Sequence, residues 1–218
     1  MSQRSETVVV IDDDASVCEA LRGLFESVGL LTRTYGSVQA FLATEPPEGS
    51  CCVVLDIRLP GQSGLEFQEA LARSGSPQAV ILISGHVDVQ MAVRAMKAGA
   101  VDVLAKPVRE QDLLEAVNRA IKQAAKRRRD AERMAALQAR HALLTDRERQ
   151  VMALVTAGLL NKQIAERVSI AEATVKLHRG QVMRKMGAES VPELVRMADF
   201  LGQEGGHENG EAGPLGPQ

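Results

Sequence analysis

Thr7-Val8-Val9-Val10-Ile11-Asp12-Asp13-Asp14 decides the fold. A short, mostly β-branched run stops at three carboxylates, the pattern of a buried strand that ends at a polar edge. Two later segments repeat it. Cys51-Cys52-Val53-Val54-Leu55 runs into Asp56, and Ala100-Val101-Asp102-Val103-Leu104-Ala105 runs into Lys106-Pro107. In an open parallel sheet the carboxyl ends of the strands share one edge, and ligands bind there. Three segments far apart in the chain are therefore expected to form one site.

Working outward, strands alternate with helices. Val17, Leu21, Leu24, Phe25 and Val28 recur at helical spacing up to Gly29. A second strand is expected over 30–35, followed by a short helix capped by Ser37 and carrying Ala40, Phe41 and Leu42. The third strand covers 51–55, and Pro60-Gly61-Gln62-Ser63-Gly64 makes a turn before a helix opening near Leu65. A strand over 79–83, a helix over 89–98 closed by Gly99, a strand over 101–104 and a helix begun by 112–121 complete the pattern. Five strands alternating with five helices predict an α/β domain over 1–123, a doubly wound five-stranded parallel sheet.

The chemistry falls at the strand ends. Asp12 and Asp13 end the first strand, Asp56 the third, Ser84 the fourth and Lys106 the fifth. Gathered carboxylates need counter-charge, which Mg²⁺ and one lysine would supply, the ion keeping several waters beside one or two carboxylates. Asp13 and Asp56 are expected to ligate directly, Asp12 through water, and Arg58 through its carbonyl. A metal-bound Asp56 can attack phosphorus and become an acyl phosphate. Lys106 would neutralise the phosphoryl oxygens while the Ser84 hydroxyl donates to one of them. Asp14 reads as a helix N-cap, and His86 as a loop residue at the rim rather than a proton donor. Cys18, Cys51 and Cys52 are odd in number, and the adjacent pair points to opposite strand faces. They read as buried apolar residues.

The chain of 218 residues is 45% apolar, with no apolar run long enough to span a membrane. Its N-terminus lacks the layout of a secretory signal, so a cytoplasmic location is expected. The net charge of -2 is unevenly spread: residues 1–125 carry -5, residues 126–201 carry +6 and residues 202–218 carry -3. An acidic half suits a cation and phosphate chemistry, and a basic half suits a polyanion.

No Gly or Pro separates Pro107 from Gly158, and the helical pattern runs from Asp112 into the basic stretch 126–129. A semi-rigid helical linker is expected over 124–141, solvated on most sides, with Met134 and Leu137 as a stripe for a second subunit. Residues 142–202 then read as four helices. Thr145 and Glu148 form a capping box, helix 161–168 precedes the turn Ser169-Ile170-Ala171-Glu172, helix 173–186 closes at Gly187, and a last helix starts at Ser190. Two short helices around a tight turn, the second one basic, predict a helix-turn-helix whose second helix enters the major groove. Ala173, Thr174, Lys176, Leu177 and Gln181 are candidates for base edges, and Asn161, Lys162, Arg179 and Arg184 for phosphates. His178 and Lys185 complete the DNA-facing set. Gly180 either lets the helix approach the groove or is a tolerated exposed glycine. The Gly-, Glu- and Pro-rich tail, 203–218, is expected to be disordered.

Residues 7–122 resemble the receiver domain of a bacterial two-component response regulator. The resemblance rests on Val10-Ile11-Asp12-Asp13-Asp14, Leu55-Asp56-Ile57-Arg58-Leu59-Pro60-Gly61, Ser84-Gly85-His86 and Ala105-Lys106-Pro107. The second half resembles a LuxR-type DNA-binding domain. Its motifs are Leu144-Thr145-Asp146-Arg147-Glu148-Arg149-Gln150-Val151, Gly158-Leu159-Leu160-Asn161-Lys162-Gln163-Ile164-Ala165, Ala173-Thr174-Val175-Lys176-Leu177-His178-Arg179 and Lys185-Met186-Gly187. Together they resemble a NarL/FixJ-type transcription factor. The resemblance implies a sensor histidine kinase as phosphate donor, Mg²⁺ dependence, slow hydrolysis of the phosphate, and a homodimer on double-stranded DNA. It also implies transcriptional activation, with RNA polymerase as a further partner, and places Val191, Leu194, Val195 and Ala198 at a dimer contact. One departure stands out: Val103 occupies the place of the usual Phe or Tyr, so the aromatic part of the switch is not carried over. Two other readings compete with this one. A metal-dependent phosphatase would need a substrate cap, and no insertion is long enough to make one. A phosphate-independent dimerisation unit is left some room by Val103.

Overall fold

The computed structural model describes residues 6–47 and 49–205. β1 (Glu6–Ile11), β2 (Leu31–Tyr35), β3 (Ser50–Asp56), β4 (Ala79–Ser84) and β5 (Asp102–Ala105) are all parallel, in the order β2-β1-β3-β4-β5. The order reverses at β1 and β3, and that reversal opens a crevice beyond their carboxyl ends. Register aligns the ends: Ile11 is opposite Leu55, and Ser84 opposite Ala105. Asp12 and Asp56, one step further along neighbouring strands, are thereby brought to the same edge.

Because successive strand residues point to opposite faces, the continuous apolar runs feed two cores. Val8, Val10, Val54, Ile81 and Ile83 pack against α1 (Ala15–Ser27) and α5 (Glu110–Ala142) through Phe25, Leu113, Val117 and Ile121. Val9, Ile11, Val53, Leu55 and Leu82 pack against α2 (Val38–Leu42), α3 (Gly64–Arg73) and α4 (Val89–Lys97) through Phe41, Phe67 and Ala95. Each fully buried Val, Leu, Ile or Phe contributes roughly 1.5–3 kcal/mol. Within α3, the buried Gln68 amide donates to the Ala98 carbonyl at 2.7 Å, tying α3 to the last turn of α4. Burial pushes the Cys51 thiol up to about 12 and that of Cys52 well above its ordinary value, consistent with inert apolar packing.

The chain divides into two compact units between Asp130 and Ala131, inside α5. The second unit holds α6 (Asp146–Thr156), α7 (Asn161–Val168), α8 (Glu172–Met186) and α9 (Val191–Gly205). Leu137, Leu144, Val151, Val155, Ile164, Val175, Val182, Met186 and Leu194 form its core. Among the described residues, Ser169 alone combines a side chain with a positive φ, 54°, and this left-handed residue turns the chain from α7 to α8.

The stretch 124–141 is helical and most of its residues are exposed, with Ala124 buried in the first core and Leu137 in the second. Three expectations are corrected here. Leu137, only 4% exposed, packs inside its own unit, so it offers no stripe to another subunit. Leu194, on the inner side of α9, is fully buried in the core of the second unit and cannot serve as a dimer contact, whereas Val191, Val195 and Ala198 stay half-exposed. The expected tail begins inside α9, which continues to Gly205, and the rest of it lies outside the described residues. No described helix is long and apolar enough to cross a membrane.

Candidate metal centre and nucleic-acid interface

Asp12 leaves β1 almost fully buried, Asp56 is the buried last residue of β3, and Asp13 is exposed beside them. The three can each offer one oxygen so that these atoms lie within 4.8 Å of one another. Backbone donors fix the two buried carboxylates: Asp14 N–H donates to Asp12 Oδ1 at 3.0 Å, and Arg58 N–H to Asp56 Oδ1 at 2.9 Å. The other oxygens share one ammonium. Lys106 Nζ stands 2.6 Å from Asp12 Oδ2 and 2.5 Å from Asp56 Oδ2. Burial alone would pull the Lys106 pKa down, but its hydrogen bonds to both carboxylates outweigh this and hold it above the ordinary lysine value. Three carboxylates against one ammonium leave a net negative, all-oxygen cluster open to solvent at Asp13. That donor set suits a hard divalent cation.

The remaining rim residues are placed as follows. Ser84 is fully buried, its hydroxyl donating to the His86 carbonyl at 3.0 Å and accepting from the His86 N–H at 3.3 Å. The hydroxyl is thus held by the loop after β4 rather than by the side chains of Asp56 or Lys106. Arg58 reaches the cluster through its backbone N–H, and its side chain is exposed. Asp14 accepts from the N–H groups of Ser16 and Val17 and caps α1. Tyr35, at the end of β2, accepts the Asp12 N–H at 3.1 Å and lays its ring edge-on against Phe41. Val103 on β5 packs half-buried against the core shared with α3 and α4.

One residue was missed from sequence. A Cβ on Gly64 would fall 2.1 Å from the Asp56 carbonyl oxygen, and the Gly64 N–H donates to the Ile57 carbonyl at 3.0 Å. Glycine there lets α3 close onto the backbone that carries Asp56. The only hint was its place at the end of a turn-rich stretch.

In the second unit, Lys162, Ala173, Lys176, Leu177 and Arg184 are exposed, with Thr174 and His178 half-exposed. Arg179 donates to Asn161 Oδ1 at 3.0 Å, joining α8 to the start of α7, and Arg184 donates to Gln181. Gly180 is exposed and a Cβ there would meet nothing within 4 Å. Lys185 is a correction: its ammonium is turned to Glu148 Oε2 at 2.6 Å and the Leu143 carbonyl at 3.1 Å, away from a DNA-facing role. Glu148 also completes the expected capping box with Thr145. The Lys185 hydrogen bond, reinforced by the Thr145 N–H, lowers its carboxyl to about 2.

Comparison with known proteins follows the same division. The response regulator receiver domain matches residues 8–118, and the bacterial regulatory proteins of the luxR family match residues 142–198. Nodulation protein W of Bradyrhizobium diazoefficiens is 46% identical over 200 residues, covering 92% of this chain and 88% of that protein. The chain belongs to the NarL/FixJ-type two-component response regulators. This response regulator is also 43% identical over 201 residues to the response regulator protein TmoT of Ectopseudomonas mendocina, covering 92% of the chain and 91% of that protein. The solved structure of response regulator StyR matches with a TM-score of 0.78 at 43% identity, covering 89% of this chain and 98% of that one. Full-length FixJ from B. japonicum matches with a TM-score of 0.54 at 39% identity, covering 93% and 99%. As a family member the protein is a DNA-binding transcriptional regulator with a receiver and a LuxR-type domain, not an enzyme, which disposes of the phosphatase reading.

Proposed function

We propose that this response regulator is switched by phosphorylation of Asp56 by a sensor histidine kinase. In the phosphorylated state it dimerises on a double-stranded DNA operator in the cytoplasm and activates transcription, with RNA polymerase as its partner there. The observation that carries this reading is the sharing of one Lys106 ammonium by two buried carboxylates beside a third. Asp12, Asp13 and Asp56, with the Arg58 carbonyl, would hold Mg²⁺. Bound there, the ion would offset carboxylate charge and polarise the incoming phosphoryl group.

The chain's own residues then divide the work. The Asp56 Oδ2 lone pair attacks phosphorus and a P–O bond forms to Asp56, while the P–N bond to the donor histidine breaks with its electron pair staying on that ring nitrogen, leaving a neutral imidazole whose other nitrogen already carries the proton. Lys106 exchanges its contact with Asp56 for one with the new phosphoryl oxygens. Ser84 leaves the His86 backbone to donate to the same group, and the loop after β4 is pulled with it. Phosphorylation adds about -1.5 to -2 charges at pH 7, and these two side chains are placed to answer it. With valine at 103, the loop movement itself carries the signal. On DNA, Lys176, Thr174, Ala173, Leu177 and Gln181 would meet base edges, while Lys162, Asn161, His178, Arg179 and Arg184 would meet the backbone.

The test pairs chemistry with binding. Labelling by acetyl phosphate in the presence of Mn²⁺ should be complete in wild type and absent in Asp56→Asn. Operator affinity should rise on labelling and stay low in the variant. Equal affinity for labelled, unlabelled and Asp56→Asn protein would defeat the switch.

A further inference from the structure

α5 and α8 end against each other. At the end of an α-helix the last carbonyls lack intrahelical donors and need partners from elsewhere. The Met186 carbonyl closes α8, and Arg140 Nη1, from the last turn of α5, donates to it at 3.1 Å. The Leu143 carbonyl lies just past α5, and Lys185 Nζ, from the last turn of α8, donates to it at 3.1 Å. Each helix thus caps the other with a cation, the sign that the negative end of a helix dipole favours. Gly187 makes room for this arrangement. It adopts φ 68°, and a Cβ on it would stand 3.0 Å from Arg140 Nη1. Two further contacts seat the same stretch of α5: Leu137 is buried among α6, α8 and α9 residues, and the Arg133 guanidinium lies 5.1 Å over the Phe200 ring.

We propose that Arg140 and Lys185 are positioning residues: their reciprocal capping sets the recognition helix α8 on the end of α5, so that a change in α5 reaches the DNA-facing residues. Arg140 touches no DNA in this account; it acts through the orientation of α8. α5 runs unbroken from Glu110 to Ala142, and Leu113, Val117 and Ile121 belong to the receiver core. The helix that closes the receiver sheet is therefore the same helix that caps α8. This inference rests on the phosphorylation reading given above and deepens it, since it names the route by which the receiver state would reach α8.

The test uses the full chain with Arg140→Met, Arg140→Lys and, as a control, Val151→Ala, which loosens the same core without touching either cap. Amide hydrogen exchange is followed over residues 183–188, and affinity is measured for a duplex that the wild-type chain selects from a random pool. Both are read with and without beryllium fluoride and Mg²⁺ as a phosphoryl mimic. In Arg140→Met, exchange over 183–188 should quicken about tenfold while α6 keeps its protection. The wild-type affinity ratio, at least about fivefold, should fall toward one. Arg140→Lys should restore both readouts, and Val151→Ala should keep the ratio. An Arg140→Met protein with unchanged exchange at 183–188, or with the wild-type ratio, overturns the proposal. A wild-type ratio of one would sink the phosphorylation switch together with the coupling. Exchange in α8, which needs no phosphoryl group, would then still judge the cap by itself.

Discussion

Asp56 and Glu148 are both buried carboxylates bonded to a lysine, at 2.5 and 2.6 Å, yet their surroundings differ. Around Asp56, the Asp12 carboxylate competes for the single Lys106 ammonium, and a third carboxylate, Asp13, opens the group to solvent. Around Glu148, one lysine serves one carboxylate, and the Thr145 N–H adds a 2.7 Å donor to the same oxygen. The first arrangement leaves negative charge unbalanced and available to a cation. The second balances its charge and staples α6 to α8. Buried ion pairs of similar length thus do different jobs, and the number of like charges within reach separates a chemical site from a structural one.

The largest expected effect tests whether the Asp56 side depends on backbone geometry. Gly64→Ala puts a methyl 2.1 Å from the Asp56 carbonyl oxygen, where backbone must move, and should cost the receiver about 3 kcal/mol. Calorimetry should show the first unit melting earlier and the second unchanged. A loss under about 0.5 kcal/mol would mean that α3 does not lean on the Asp56 backbone.

Glu148→Gln comes next and should act only on the second unit. Its folded carboxyl sits at about 2 against an ordinary 4.5, so its contribution is present above pH 4.5 and is lost as pH falls through 2. Near neutral pH the substitution should cost about 2 kcal/mol, because it breaks a buried ion pair and leaves Lys185 partly unpaired. Between pH 4.5 and 2 the wild type should converge on the variant. A variant whose stability falls just as steeply over that range would show that Glu148 is not the group being titrated.

The smallest effect concerns the two lysines of α8. Lys176→Ala should reduce the slope of log affinity for DNA against log salt by about 0.9, the loss of one phosphate neutraliser, unless Lys176 reads a base edge alone. Lys185→Gln should leave the slope unchanged, since that ammonium is engaged inside the unit. Equal slope changes for both would return Lys185 to the DNA-facing set.

Much of this was legible in the sequence because it is local. Strand ends, the Asp14 and Ser37 caps and the Thr145–Glu148 box depend on residues within four positions of one another. The rim cluster was legible for a different reason: one topological rule sends every parallel strand to the same edge. What escaped depends on partners brought in from afar. Leu137 sits on a polar helix with only the thin stripe it makes with Met134, and its core neighbours come from other helices. Leu194 looked like part of a surface stripe, but the core of the second unit closes over it. Lys185 looked like one more phosphate contact in a basic helix, and its true partner lies 37 residues away. The need for glycine at 64 arises only when α3 swings back onto the loop after β3.

Tyr35 has a practical consequence. The chain contains one tyrosine and no tryptophan, so emission excited in the tyrosine band, beyond phenylalanine absorption, comes from a single ring. That ring belongs to the residue whose carbonyl receives the Asp12 N–H. Light emitted by the native polypeptide is therefore a label-free readout of the strand that frames the acidic rim, and titrating a cation or a phosphoryl donor can be followed without attaching a dye.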